Sequence, residues 1–216
     1  VTGVLTCALP ILKVAFDLLG ASDCQLWWGL TVLLFGAISS VLGVAYALSE
    51  HDIKRLLAYH SVENIGIILL GVGVALVGAA VDAPILTVLG LLAGLFHLIN
   101  HAMFKGLLFL GAGSVLFATG TRDMESLGGL RHIMPTTAVC FLIGSLAISA
   151  IPPLNGFVSE WFTYQGLITA AMGGDPLIKL VCAFCTVMLA ITGALAVTCF
   201  VKAYGVTSAK DRKSVV

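Results

Sequence analysis

Five long apolar segments constrain the fold of this 216-residue chain more than any other feature. A helix that crosses a bilayer needs about 20 predominantly apolar residues. Five segments reach or exceed that length, over residues 27–48, 56–80, 84–117, 136–171 and 177–204. Only 10% of the residues are charged, whereas an ordinary soluble domain has roughly 25%. We therefore predict an all-α fold, a polytopic membrane helix bundle of about five transmembrane helices.

The few charged residues exclude one class of partner and indicate an orientation. Lysine and arginine number 11, as do aspartate and glutamate, so we expect no nucleic acid as a partner. If the chain crosses the membrane five times, every second connection lies on the same side. The connections on one side hold most of the basic residues: Lys54, Arg55, Arg122, Arg131, Lys202, Lys210, Arg212 and Lys213. The other side has Lys13 and Lys179. Because basic residues accumulate in the cytoplasm, the richer side is predicted to be cytoplasmic.

The ends of the chain resemble non-native sequence. The first residue is valine, and the chain opens in mid-pattern without a charged start. We expect a fragment in which residues 1–11 are a non-native leader, residues 12–204 form the transmembrane unit, and residues 205–216 form a polar tail whose last residues are also non-native.

Two cysteines, Cys182 and Cys185, invite a redox or metal interpretation. Structural zinc and iron–sulfur sites usually need four ligands, and this pair lies within an apolar segment. We interpret both as buried small apolar residues. The sequence predicts no metal or cofactor bound by this chain.

The fourth apolar segment contains a predicted helix break. Pro152 and Pro153 remove backbone donors, and Gly156 permits unusual dihedral angles. In lipid such a break survives only where it is buried in protein or lines a water-filled cavity. Discontinuous helices of this kind are typical of ion-translocating folds, and Glu160 follows directly. The alternative is a simple proline kink.

A row of ionisable residues lies within the third apolar segment. His97, His101 and Lys105 have i, i+4 and i+8 spacing, so they share one broad helix face, and Asn100 is adjacent. Ionisable side chains at bilayer depth are rare and usually line a water or ion pathway. Because imidazoles titrate near neutrality, the row is suited to proton relay. The alternatives are hydrogen bonds between packed helices, or a metal or haem site with ligands from elsewhere.

The second apolar segment opens with further ionisable residues. Glu63 lies two turns inside it, next to His60 and Asn64, and an unpaired carboxylate there would be costly. We expect Glu63 to be neutral or paired, either as a proton carrier or as part of a structural pair. Lys54 is most simply an interfacial anchor, or otherwise an accessory to the pathway.

Four motifs together resemble a known family. They are DIKRLLAYH at 52–60, FHLINHAMFKGLLFL at 96–110, GGLR at 128–131 and PPLNGFVSE at 152–160. In this order they resemble the antiporter-like membrane subunits of respiratory complex I and its relatives. The segment YHSVENIG at 59–66 is most similar to the large antiporter-like subunit of formate hydrogenlyase and related energy-converting nickel–iron hydrogenases.

The resemblance implies a fold of about fourteen helices that contains two inverted five-helix repeats, each with a broken helix. This chain is similar to the second repeat. His97 and His101 would be central relay residues, Lys105 would lie on the same path, and Glu160 would be the terminal ionisable residue. A glutamate and lysine pair would belong to the first repeat.

The resemblance also implies a function. The chain would be a membrane subunit of a redox-driven proton-translocating complex in a bacterial or archaeal cell membrane. It would hold no redox centre itself, and iron–sulfur clusters and a nickel–iron site would belong to partner subunits. The alternatives are a subunit of a multisubunit cation/proton antiporter and a structural membrane scaffold.

Overall fold

The computed structural model describes residues 13, 25–173 and 175–209, and these residues are mostly helical. The α-helices in those ranges are α1 (Leu26–Ser49), α2 (Ile53–Ala80), α3 (Pro84–Thr119), α4 (Leu130–Ile133), α5 (Pro135–Ile148), α6 (Asn155–Met172) and α7 (Pro176–Tyr204). A 3-10 turn at Met124–Ser126 precedes α4, and a π-helix at Gly205–Ala209 follows α7. The predicted leader at 1–11, and Lys210, Arg212 and Lys213 of the predicted tail, lie outside the described residues.

The helices correspond to the five predicted apolar segments. Four of them, α1, α2, α3 and α7, are long and apolar enough to cross a membrane. The remaining segment, 136–171, is divided between α5 with 14 residues and α6 with 18 residues. The predicted membrane helix bundle with one discontinuous helix is therefore confirmed.

The break between α5 and α6 falls where the sequence predicts it. Ala150 has a positive φ of 50°, and the Pro152–Pro153 peptide bond is cis. A Cβ atom on Gly156 would lie only 1.9 Å from the carbonyl oxygen of Ala147. Because no larger residue fits at that distance, Gly156 allows the start of α6 to pack directly against the end of α5.

Glycines also bring the backbones of α1, α2 and α3 into contact. A Cβ atom on Gly43 would lie 2.5 Å from the amide nitrogen of Glu63, and one on Gly71 would lie 2.5 Å from that of Gly94. Small residues allow membrane helices to approach this closely. The contact at Gly43 fixes the backbone of Glu63 against α1.

The described basic residues of the richer side lie together at one end of the bundle. The loops after α1 and after α3 meet there, and Arg122 forms an ion pair with Asp52 at 3.4 Å. Near the end of α7, Lys202 donates a hydrogen bond to the carbonyl oxygen of Leu48 at 3.0 Å. Polar contacts at this charged end thus join the loop after α1 to the loop after α3 and to the end of α7. Its assignment to the cytoplasm stays a prediction.

Two large clusters of apolar side chains form most of the core in the described residues. One cluster, toward the end opposite the charged end, includes Leu33, Val74, Leu167, Cys182 and Cys185. The cluster toward the charged end includes Leu57, Phe104, Phe141 and Phe200. Between the two clusters, α2, α3 and α6 carry buried polar residues.

Replacing Gly156 with alanine in the full-length protein should destabilise the break. The added methyl group would overlap the carbonyl oxygen of Ala147, and overpacking of this kind typically costs about 1–3 kcal/mol. We expect the melting temperature of the detergent-solubilised protein to fall by several degrees.

Gly113→Ala is the matched control, because a Cβ atom on Gly113 would have nothing within 4 Å and alanine is the better helix former. Its melting temperature should equal or exceed that of the wild type. Equal melting temperatures for the two variants would contradict the packing role of Gly156.

Candidate functional site

Buried polar residues form a layer between the two apolar clusters, here called the polar layer. Its members are at most 8% exposed and come from α2 (His60, Glu63 and Asn64), α3 (His97, Asn100, His101 and Lys105) and α6 (Ser159 and Glu160). The sequence analysis named most of these residues as candidates for proton relay. The fold brings them together in the interior of the bundle, although they span about a hundred positions of the chain.

The α2 part of the polar layer contains a buried pair. The His60 Nδ1 atom contacts the Glu63 Oε2 atom one turn along the same helix. Both side chains are at most 2% exposed, so Glu63 has the partner that a buried carboxylate requires. The side-chain amide of Asn64 then donates to the carbonyl oxygen of His60 at 2.8 Å. This bond fixes the orientation of the Asn64 amide.

His97 is held at both of its ring nitrogens. Its Nε2 atom lies 3.1 Å from the Oδ1 atom of Asn64, and its Nδ1 atom lies 2.9 Å from the hydroxyl oxygen of Ser159. One partner belongs to α2 and the other to α6. His97 therefore links the continuous helices α2 and α3 to the second half of the broken helix.

His101 differs from His97 because neither ring nitrogen has a hydrogen-bond partner among the described residues. The side chain is completely buried, and its ring packs edge-on against Phe104 with centroids 5.5 Å apart. A neutral imidazole offers one donor and one acceptor. Both nitrogens of His101 are thus available to a proton donor or acceptor that enters the polar layer.

Lys105 completes the row on α3 at the level of the charged-end cluster. Its ammonium group donates to the carbonyl oxygen of Leu57 at 2.5 Å and lies 5.9 Å from the centroid of the Phe109 ring. The side chain is 1% exposed, and its charge is near enough to interact with that of Glu63. The buried Lys105 side chain thus connects α3 to the backbone of α2, one turn before the His60–Glu63 pair.

Asn100 connects α3 to the first turn of α6. Its amide nitrogen donates to the Asn155 carbonyl oxygen at 3.0 Å, and the Asn155 side chain donates back to the Asn100 side-chain oxygen at 3.1 Å. These bonds lie one turn from the contact between His97 and Ser159. Two adjacent polar contacts thus fix the start of α6 against α3.

Glu160 lies in the second turn of α6, on the wall of a cavity of about 520 Å³. Ser149, Trp161, Tyr164 and Gln165 also line this cavity. No hydrogen bond or ion pair joins the Glu160 side chain to another residue in the described ranges. The Glu160 carboxyl group is near enough to that of Glu63 for the two to interact electrostatically. Because it has no hydrogen-bond partner in the described ranges, it is available to a group that enters the cavity.

Lys54 lies apart from the polar layer, at the charged end. It is partly exposed in the first turn of α2, where its backbone amide donates to the side chain of Asp52 at 2.8 Å. This position fits the interfacial anchor. Among the described residues, no three histidine, cysteine, aspartate or glutamate side chains are grouped to hold a metal ion.

The sequence analysis did not identify Ser159 or Asn155 as site residues. Each is a single small polar residue, and neither type is rare in a membrane helix. The available signal was spacing, because Asn155, Ser159 and Glu160 follow the Pro152–Pro153 break at positions that share the start of one helix. Their partners on α3 could not be read from that spacing.

The family model for the transmembrane region of "NADH:quinone oxidoreductase/Mrp antiporter" proteins matches residues 3–190. The chain belongs to this family. The resemblance found in the four sequence motifs is therefore confirmed.

The relatives also support the predicted branch. Hydrogenase-4 component B of Escherichia coli (strain K12) is 59% identical over 197 residues, which are 91% of this chain and 29% of that protein. Formate hydrogenlyase subunit 3 of the same organism is 52% identical over 191 residues, which are 88% of this chain and 31% of that protein. This chain thus spans less than a third of either relative.

A solved structure confirms the fold class. A chain of respiratory complex I from Thermus thermophilus with bound NADH superimposes with a TM-score of 0.68 and 28% identity. The superposition covers 88% of this chain and 36% of that chain. The arrangement of α1 to α7, with its broken helix, is accordingly that of an antiporter-like subunit.

The His60–Glu63 pair should behave as a coupled unit. Removing one partner of a buried pair typically costs about 3–5 kcal/mol, because the other charge remains buried and unpaired. We expect His60→Leu in the full-length protein to lower the melting temperature strongly. Glu63→Gln, added to His60→Leu, should recover part of the loss, as measured in a double-mutant cycle.

His132→Leu is the control for the loss of a histidine, because His132 is exposed at the charged end. It should leave the melting temperature unchanged. Strictly additive effects of His60→Leu and Glu63→Gln would show that the two side chains are not coupled.

Proposed function

We propose that this chain is part of a membrane subunit that conducts protons in a redox-driven complex. The observation that carries the proposal is the polar layer, in which buried ionisable residues extend from α2 through α3 to the broken helix. Ionisable groups are costly at bilayer depth and are retained there for ion or proton pathways. Membership of the NADH:quinone oxidoreductase/Mrp antiporter family supports the same conclusion.

The relatives narrow the kind of complex. Hydrogenase-4 component B and formate hydrogenlyase subunit 3 cover about nine-tenths of this chain at more than half identity. We therefore assign the chain to a hydrogenase or formate hydrogenlyase assembly with other membrane and peripheral subunits. Iron–sulfur clusters and a nickel–iron site in those partner subunits would carry the electrons, while this chain carries protons.

The described residues suggest a role for each part of the polar layer. His101, with both ring nitrogens available, would accept and release protons, and Lys105 would be the next carrier toward the charged end. Glu63 would respond to the charge of Lys105 while paired with His60. Glu160 would be the terminal carrier, since it lines an open cavity beyond the break.

The same proposal includes the orientation of the chain in the membrane and its share of the complete proton-translocating subunit. The protein would lie in the inner membrane of a bacterial or archaeal cell. Its charged end, with Arg122 and Lys202, would face the cytoplasm. Residues 12–204 would form the second of two inverted repeats. Complete translocation would then require the first repeat as well.

Two substitutions in the full-length subunit, assembled in its complex, test the proposal. His101→Ala and Glu160→Ala should each lower proton translocation by an order of magnitude or more, because a positioned acid–base group typically contributes about 10²–10⁴-fold to a proton transfer. Translocation is measured as acidification inside inverted membrane vesicles during electron transfer. Assembly is checked by co-purification of the partner subunits.

His132→Ala is the control, since it removes an exposed histidine at the charged end. It should translocate protons at the wild-type rate. Wild-type translocation in both His101→Ala and Glu160→Ala would refute the relay and favour a structural scaffold.

A further inference from the structure

Ser159 makes more contacts than one hydroxyl group can satisfy as a donor. Its oxygen lies 2.9 Å from the Nδ1 atom of His97, 3.0 Å from the carbonyl oxygen of Gly156 and 3.3 Å from that of Asn155. The side chain is completely buried. A serine hydroxyl has a single hydrogen to donate, so it can serve only one of these acceptors at a time.

The neighbouring amide determines which nitrogen of His97 keeps its hydrogen. The Asn64 side chain donates through its nitrogen to the carbonyl oxygen of His60, so its oxygen faces the His97 Nε2 atom. An amide oxygen only accepts hydrogen bonds, and Nε2 must therefore carry a hydrogen. The proton that His97 gains or loses belongs to Nδ1, the nitrogen that faces Ser159.

Each charge state of His97 then requires a different orientation of the hydroxyl. When His97 is neutral, Nδ1 accepts the hydrogen of Ser159. When His97 is protonated, Nδ1–H donates to the Ser159 oxygen, and the hydroxyl hydrogen must turn to the carbonyl oxygen of Gly156 or Asn155. Both carbonyl groups belong to the first turn of α6.

We propose that Ser159 is a positioning residue that couples the charge of His97 to the first turn of the broken helix. The proposal rests on the proposed function, in which the polar layer carries protons. Gly156 packs against the Ala147 carbonyl at the break, and Asn155 is bonded to Asn100. A change in their hydrogen bonding thus acts where α5, α3 and α6 meet, next to Glu160.

The other polar groups around His97 do not provide this connection. The hydroxyl of Thr163, one turn further along α6, donates to the backbone oxygen of Ser159. The buried ionisable residues on the helices packed around His97 are His60 and Glu63 of α2, His101 and Lys105 of α3, and Glu160 of α6. Among the described residues, Ser159 is the hydrogen-bond partner that His97 has on α6.

Ser159→Ala in the full-length subunit within its complex tests the proposal. Without the hydroxyl oxygen, protonated Nδ1 has no acceptor in a buried site, and an unsatisfied buried donor is disfavoured. We expect proton translocation in inverted vesicles to fall about tenfold. The pH of half-maximal translocation should move to lower values, because a more acidic medium is then needed to charge His97.

Ser159→Thr keeps the hydroxyl group and should restore both the rate and the pH profile. Ser159→Cys keeps the size but supplies a weaker acceptor, so its profile should shift in the same direction as that of Ser159→Ala. If Ser159→Ala does not assemble into the complex, Ser159→Cys provides the test instead. Ser145→Ala is the matched control, since Ser145 is equally buried and donates only to the Phe141 carbonyl oxygen of its own helix.

Wild-type rate and pH profile in Ser159→Ala or Ser159→Cys would overturn the coupling. Loss of translocation in Ser159→Thr equal to that in Ser159→Cys would do the same, since the hydroxyl would then be irrelevant. A wild-type result at Ser159 together with loss in His101→Ala and Glu160→Ala refutes only the coupling. Wild-type translocation in all of these variants refutes the proposed function itself.

Discussion

The interior of a bilayer offers no solvent to a charge, so each ionisable side chain there needs a partner or a pathway. Within the described residues, the buried ionisable side chains are gathered in one polar layer with an apolar cluster on either side. The clusters draw on the same helices as the layer, so apolar packing on both sides holds the polar side chains in place. Glu63 has His60 as a partner, whereas Glu160 faces a cavity instead.

Close helix packing makes backbone groups available to the polar layer. The Lys105 ammonium group binds the carbonyl oxygen of Leu57, and the Asn64 amide binds that of His60. Both carbonyl groups lie within α2, and a carbonyl oxygen has a second lone pair beyond its helical bond. Lys105 reaches its carbonyl partner across the interface between α3 and α2, two helices whose backbones also come into contact at Gly71 and Gly94. The backbone thus supplies part of the polarity that water would supply outside the membrane.

Much of the fold and part of the site could be predicted from the sequence. Segment length and proline positions predicted the long apolar helices and the break, because membrane thickness and the missing proline donor act locally. The spacing of His97, His101 and Lys105 predicted their shared helix face, because helical periodicity is also a local property. The partners of these residues are long-range contacts: Ser159 lies 62 positions from His97, and Asn64 lies 33 positions away. Helical periodicity does not encode which helix faces which, so those contacts needed the structure.

The two histidines of α3 have the same chemistry and one turn of separation, yet the fold gives them different surroundings. His97 is fixed by Asn64 and Ser159, so a proton gained there changes the hydrogen bonding of its neighbours. His101 has no such partner among the described residues, so a proton gained there changes only the local field. In the proposed pathway, His101 would carry protons with little rearrangement, and His97 would convert a charge into a change at the helix break.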